Sequence, residues 1–399
     1  MSRDADARWM SINSVATVAS GATPSRIRDD YWVDGIYPWV RTSEINFKAI
    51  DGTAERVTEA GKRGANLKIF PSGTILLAMY GEGATRGRSA ILNTAAAVNQ
   101  ATAVIQCNSQ DVDSRYLYHY LENSYEDIRK IGQGSNQTNL NARIVGNIRV
   151  AVPSLERQRK IVEVLAGFAD EERTVEASIV KLKLMRAGLV QGLDRYEQCT
   201  LRSIVIDGPQ NGIYKPGSSY GLVGTPIVRI NSFGGGPSVL NSGLLRVEVA
   251  SAEAAKYRLN EGELLLNRVN TVDLVGKATV VARLDEETVF ESNIMRCALD
   301  PERAIPSFVE AWMSGTSVKR HFLRRAKTAV SQASLNQGDV LSCPFPFVPI
   351  STQRKFLDGL DLIDSQIQAG ELELKKLGDV RRGLADDLLP GKVRVRDVA

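Results

Sequence analysis

A chain of 399 residues has room for two or three domains, each able to bury its own core. Hydrophobic residues make up 43% and charged residues 24%, ordinary for a globular protein, and no apolar run is long enough to span a bilayer. A formal charge of +4 permits a nucleic-acid partner without demanding one, so charge alone assigns no function.

The N-terminus, MSRDADARWM, has no apolar signal core, which predicts a cytoplasmic protein. Residues 10–150 alternate β-branched runs with turn signals, and Gly73–Met79 and Ala101–Gln106 predict strands. A helical stretch follows near Ser114–Lys130. Two loops here are rich in polar groups: Tyr80–Arg88, with Arg86 and Arg88, and Gly134–Asn141. Pro153 then opens a long helix, with Ser154 expected as its N-cap. Ile161, Leu165, Phe168, Val175, Ile179, Leu182, Leu189 and Leu193 fall at steps of four, three and seven, a heptad seam interrupted by Glu172 and Arg186. At 1.5 Å per residue this seam forms a rod of about 50 Å.

A second mixed region covers residues 200–346, with strands predicted at Thr225–Ile230 and Ala278–Arg283 and helix near Ile305–Lys327. Its polar loops are Asn267–Lys277 and Val330–Asn336. Pro349 opens another helix, with Ser351 as the expected cap and a seam of Phe356, Leu360, Ile363, Leu374, Leu377, Leu384 and Leu388. Arg381 stands in the seam where the first copy has Arg186. Gly359, Gly370 and Gly378 weaken this helix in isolation, and Gly370 is a candidate for a bend or a close helix approach.

The chain repeats itself. Gln158 and Gln353 stand 195 residues apart, as do Gln137 and Gln332, and Leu140 and Leu335. Upstream the echo continues with slightly smaller offsets: Pro38-Trp-Val-Arg41 with Pro226-Ile-Val-Arg229, and Gly87-Arg88 with Gly276-Lys277. The period is a domain plus a helix. The expected fold is α+β: two pseudo-repeated globular domains (1–150 and 198–347) separated by two long helices (151–197 and 348–399) paired as an antiparallel coiled coil.

Catalytic signatures are missing from the sequence. There is no phosphate-binding GxxxxGK[ST] loop and no GxGxxG. The two histidines, His119 and His321, have no metal-ligand spacing, and His119 is most simply structural. Cys107, Cys199, Cys297 and Cys343 form no CxxC pair and are expected as reduced, mostly buried thiols. The carboxylates at Asp111/Asp113 and at Asp285, Glu286 and Glu287 lie in turn-like stretches and are expected to be solvated. The chain is therefore not expected to be an enzyme. Arg86, Arg88, Arg268 and Lys277 suit phosphates or a guanine edge, and Asn267 or Asn270 an adenine edge.

In this order the motifs resemble the specificity (S) subunits of type I restriction–modification systems. The resemblance is carried by Gly21-Ala-Thr-Pro-Ser25, Tyr31-Trp32, Gly212–Pro216 and Gly224-Thr-Pro226, by Gln158-Arg-Lys160 and Gln353-Arg-Lys355, and by Leu389-Pro-Gly-Lys-Val-Arg394. The first helix departs from it by entering the second domain through Asp194–Gln198 without a Pro-Gly-Lys exit. The resemblance implies that each globular half is a target recognition domain reading one part of a bipartite DNA site, with the helix pair fixing the gap. It implies methyltransferase (M) and restriction (R) subunits as partners, double-stranded DNA as ligand and no membrane. S-adenosylmethionine, ATP and magnesium would belong to those partner subunits. The expected DNA contacts are Arg41, Thr42, Tyr80, Arg86, Arg88, Asn136 and Gln137 in the first half. In the second they are Arg229, Asn231, Asn267, Arg268, Asn270, Lys277 and Gln332. The alternative is a non-catalytic coiled-coil scaffold with two protein-binding domains.

Overall fold

The structure is a computed structural model that describes residues 7–81, 84–131, 139–234, 238, 240–329 and 332–393. It divides into two compact units, Met1–Val175 with Leu372–Ala399, and Glu176–Glu371. Each unit thus holds one globular half and a stretch of each long helix.

In the first unit, a five-stranded sheet runs in the order Ala16–Ser20, Thr102–Cys107, Ile75–Ala78, Ser89–Leu92, Ala49–Ile50. Only the last pair is parallel. All four residues of the central strand Ile75–Ala78 are buried, which is why it reads as an unbroken apolar run. Strand alternation splits its side chains between two cores. Ile75 and Leu77 pack with Ile105, Tyr116, Leu117 and Leu121 on one face. Leu76 and Ala78 pack with Val40, Ile45, Phe70 and Val104 on the other. A smaller sheet pairs Glu55–Val57, Tyr37–Val40 and Ala97–Val98, and a two-stranded ribbon joins Arg8–Ser11 to Arg149–Val152.

The second unit repeats this plan. Its main sheet runs Val205–Asn211, Ile294–Leu299, Leu264–Asn267, Ala278–Val280, the same order as the first four strands above. Leu264 and Leu266 face Phe308 and Trp312, while Leu265 faces Phe290 and Val228. The second sheet contains Leu245–Val247, Thr225–Val228 and Val289–Phe290, and the ribbon is Gln198–Thr200 with Pro344–Pro346. A three-stranded ribbon of Val269–Asn270, Gln332–Ser334 and Lys327–Ala329 belongs to this half. Matching backbone conformations accompany the sequence echo: Gly87 and Gly276, the residues before Arg88 and Lys277, have φ of +87° and +81°. Few L side chains adopt that conformation, which explains glycine at both places.

The long helices are Leu155–Gly192 and Ile350–Leu388. Ser154 caps the first, its Oγ accepting from the Arg157 amide at 3.4 Å. Ser351 does not cap the second, because it already lies inside the helix. At the offset of 195, Pro349 stands where Ser154 stands, and its carbonyl accepts from Gln353 N at 3.0 Å as the Ser154 carbonyl accepts from Gln158 N at 2.9 Å. The helix runs unbroken through Gly359, Gly370 and Gly378. A Cβ at Gly378 would meet Glu172 Oε1 at 3.7 Å, an ordinary van der Waals contact.

Within each unit the helices pair. In the first, Ile161, Val162 and Leu165 share a core with Ala385, Leu388 and Leu389. In the second, Val190 packs with Leu360, Arg186 Nε bonds Asp364 Oδ1 at 2.6 Å, and Lys183 meets Glu371 at 2.8 Å. Partners descend on one helix as they ascend on the other, so the pairing is antiparallel. Both seam arginines have acidic partners, since Arg381 meets Glu172 at 3.1 Å and Glu122 at 3.8 Å. Near Gly192 the seam skips one residue: Leu189 is 39% exposed while its neighbour Val190 packs on Ala311 and Leu360, and the next seam residue, Leu193, is buried again. Among the described residues, no helix is long and apolar enough to cross a membrane.

Candidate nucleic-acid interface

The strands Tyr37–Val40 and Thr225–Val228 each deliver an arginine at their ends, Arg41 and Arg229. Each arginine's backbone amide is held by a side chain three residues on, Glu44 Oε2 at 2.7 Å and Ser232 Oγ at 2.9 Å. The guanidinium groups are not idle. Arg41 lies 3.4 Å from Glu55 and 4.0 Å from Glu44. Arg229 bonds Glu291 at 3.2 Å and sits 4.8 Å over the Tyr220 ring. Glu291 also accepts from the Ile230 amide at 2.7 Å, so this buried carboxylate orients both loop and guanidinium. Thr42 is tied up with Asn99 at 2.7 Å.

Arg26 was not among the expected contacts. It stacks 3.8 Å from Trp32 and 4.8 Å from Trp39 and pairs with Glu55 at 2.7 Å. A planar guanidinium on an aromatic face is the arrangement that Arg229 and Tyr220 make in the other half. A lone arginine six residues before a tryptophan carries little signal in sequence.

In the loop Tyr80–Arg88, Tyr80 is 42% exposed. Arg86 donates to the Arg129 carbonyl at 2.8 Å. Arg88 donates to Asn46 Oδ1 at 2.7 Å and has no carboxylate partner among the described residues. Among the described residues its charge is met by a neutral amide and by the Phe47 ring at 5.8 Å.

The matching loop of the second half differs. Asn267 ends a buried strand, has no exposure, and donates to the Ile230 carbonyl at 3.2 Å. Asn270 is 9% exposed, and its Oδ1 accepts from the Thr271 amide at 2.8 Å. Neither can present its amide edge to a base in this conformation, so the expected adenine contact at these two positions does not stand as placed here. Arg268 is half-buried. Lys277 is half-buried with its ammonium 5.4 Å from the Phe233 ring centroid, and burial holds its pKa below the usual lysine value. Asn231 and Gln332 are exposed. Asn136 and Gln137 lie outside the described residues.

Chemistry-bearing groups elsewhere are engaged structurally. His119 faces Glu122 at 3.2 Å. His321 meets the Asp339 carbonyl at 3.0 Å and Arg325 at 3.1 Å. Asp113 caps the helix Ser114–Asn123, a part the sequence reading had not given it. Burial pushes the thiols of Cys107, Cys297 and Cys343 up to about 12, so they remain protonated and unreactive at neutral pH. Among the described residues, no cluster of His, Cys, Asp and Glu could hold a metal ion. The loops offer what DNA recognition uses: guanidinium, ammonium and amide donors on turns held by rigid sheets.

A family profile described as Type I restriction modification DNA specificity domain matches residues 6–183. The EcoR124I/EcoR124II specificity subunit of Escherichia coli is 22% identical over 170 residues, 42% of each chain, so this alignment spans less than half of that relative. The MjaVIII specificity subunit of Methanocaldococcus jannaschii is 19% identical over 400 residues, covering 95% of this chain and 91% of that one. Among solved structures, a chain from work on complex assembly and conformational transition of the type I R-M system aligns with a TM-score of 0.67 and 13% identity. That alignment covers 98% of this chain and 100% of the other, and at such identity it speaks for the fold alone.

Proposed function

We propose that the chain, which is similar over 95% of its length to a type I specificity subunit, is the DNA-reading, non-catalytic member of such a complex. Each globular half reads one part of a bipartite, asymmetric site. The helix pair sets the gap between the parts and docks methyltransferase subunits, to which restriction subunits add. Methyl transfer from S-adenosylmethionine, and ATP- and magnesium-dependent cleavage, would be the partners' chemistry. The observation that carries this reading is the duplicated frame with unlike loops: the same strand order and the same glycine turns present Arg86 and Arg88 in one half and Lys277 in the other. A frame repeated with different recognition groups suits one task done on two different sequences.

The DNA contacts we assign are Tyr80, Arg86, Arg88, Asn231, Lys277 and Gln332, all exposed or half-buried on loops and strand ends. Arg41 and Arg229, with their acidic partners, set the floor of each surface. The test is genome-wide detection of methyladenine in the host with the gene intact and deleted. A split, gapped motif that depends on the gene identifies the target. Absence of any such motif, with the methyltransferase subunit expressed, would reject this function.

A further inference from the structure

The fourth residue of the first long helix, Gln158, has no solvent exposure and makes three hydrogen bonds. Its Nε2 donates to the carbonyls of Pro153 at 2.8 Å and Asp111 at 3.1 Å, and its Oε1 accepts from the Asp113 amide at 2.8 Å. Gln353, the fourth residue of the second long helix, is equally buried. Its Nε2 donates to the carbonyls of Val348 at 3.1 Å and Arg303 at 2.8 Å, and its Oε1 accepts from the Ile305 amide at 2.8 Å. The two sets correspond atom for atom.

Each glutamine ties together three pieces of its own unit. These are the first turn of the long helix, the short link between the preceding strand and that helix, and the residues just before Ser114–Asn123 or Pro306–Met313, helices that pack on the main sheet. All its partners are backbone groups. Asp111 and Asp113 can therefore become Arg303 and Ile305 in the other copy without loss of the contact. Apolar packing around it is non-directional and tolerates rotation and sliding. Three directional bonds from one side chain fix a single rotation and height, and breaking them strands buried backbone groups.

We infer that Gln158 and Gln353 are positioning residues that lock each recognition domain at one angle on its helix and so set how strictly the gap in the DNA site is measured. The inference rests on the two-half-site reading above. One base pair of gap moves a half-site by about 3.4 Å and turns it by about 34–36°. A domain that rocks by that much on its helix accepts neighbouring gaps, whereas a locked one rejects them.

The test uses the full chain assembled with its methyltransferase subunits. Substrates are duplexes carrying both half-sites at the wild-type gap and at gaps one base pair longer and shorter. Gln158→Met and Gln353→Met keep side-chain volume and remove all three bonds. The methylation ratio of wrong to right gap should rise about tenfold in each, with both half-site sequences unchanged. A residue that served stability alone would lower methylation at all gaps and leave that ratio where it was. Amide exchange supplies the second measurement: Gln158→Met should speed exchange at Asp113 and leave Ile305 protected, and Gln353→Met should do the reverse. An unchanged gap ratio overturns the inference. So does loss of protection throughout the sheets, or loss of half-site recognition, which would make these glutamines folding residues. If the wild-type complex methylates no gapped motif, the functional reading itself fails, an outcome visible before any variant is made.

Discussion

The two globular halves agree where they must hold shape and differ where they can touch a ligand. Strand order in the main sheet, the glycine turns at Gly87 and Gly276, and the glutamine locks at Gln158 and Gln353 recur. So do the asparagine caps: Asn141 Oδ1 accepts from Ile144 N at 2.9 Å, and Asn336 Oδ1 from Asp339 N at 3.0 Å. The loops on this frame do not recur. The first offers Arg88 bonded to a neutral acceptor, and the second a lysine half-sunk against Phe233 with two asparagines turned inward. Unlike loops on a shared four-strand frame are what the proposed function requires, with the frame holding and the loops reading.

The strongest way to break this comparison is to replace residues 198–347 with the corresponding domain of another specificity subunit. Only one half of the methylated motif should change, while the other half and the gap stay fixed. A motif altered on both sides would show that the halves do not read independently.

The frame itself can be attacked in one half. Trp312 is 1% exposed, sits in the core of the second unit and donates from Nε1 to the Pro344 carbonyl at 2.7 Å. Trp312→Ala should cost about 3–5 kcal/mol and leave a cavity. Denaturant unfolding followed by amide exchange should show the second unit losing protection first. Equal loss in both units would mean that they unfold as one.

A smaller effect separates the loops. Arg88→Ala should lower DNA affinity and reduce the slope of log K against log salt by about one if the group meets a phosphate. Lys277→Ala should do less, because this ammonium already carries a desolvation cost and rests on an aromatic ring. Titrations at three salt concentrations decide it. Equal slopes for Arg88→Ala and wild type would remove Arg88 from the contact surface.

Much of the frame was legible because it is written twice. A fixed offset pairs glutamine with glutamine and asparagine with asparagine, and the heptad seam announces helix pairing. Direction was harder to read. Asn267 follows Leu264, Leu265 and Leu266, and strand alternation carries on for one more residue, so a polar side chain ends beside the Ile230 carbonyl and not in solvent. Nothing in the local sequence marks where burial stops. Ser351 looked like a cap because it lies close behind a proline, two residues after Pro349 where Ser154 is one after Pro153, yet the prolines are offset by 196 and the glutamines by 195. That single residue moves the cap position onto Pro349, which has no side chain to accept a bond. Arg26 gains its meaning from Trp32, Trp39 and Glu55, a meeting that only the fold creates.

The faintest expected effect concerns protons in the second half. His321 lies buried in the helix Thr316–Arg325, with Nε2 donating to the Asp339 carbonyl at 3.0 Å and Nδ1 left to accept from Arg325 at 3.1 Å. A second proton would have to sit on Nδ1, facing a guanidinium in a dry site. Burial first, and then Arg325, therefore hold the imidazole pKa below its ordinary value of 6.5. The unfolded chain binds that proton more readily than the folded one, so stability must fall as pH drops below about 6.5 and level off below the depressed folded value. A shallow loss of protection between neutral and mildly acid pH should thus appear in the amides of Thr316–Arg325. His321→Gln, whose amide can still donate to Asp339 but does not titrate, should flatten it. A slope that survives this substitution would place the titrating group elsewhere.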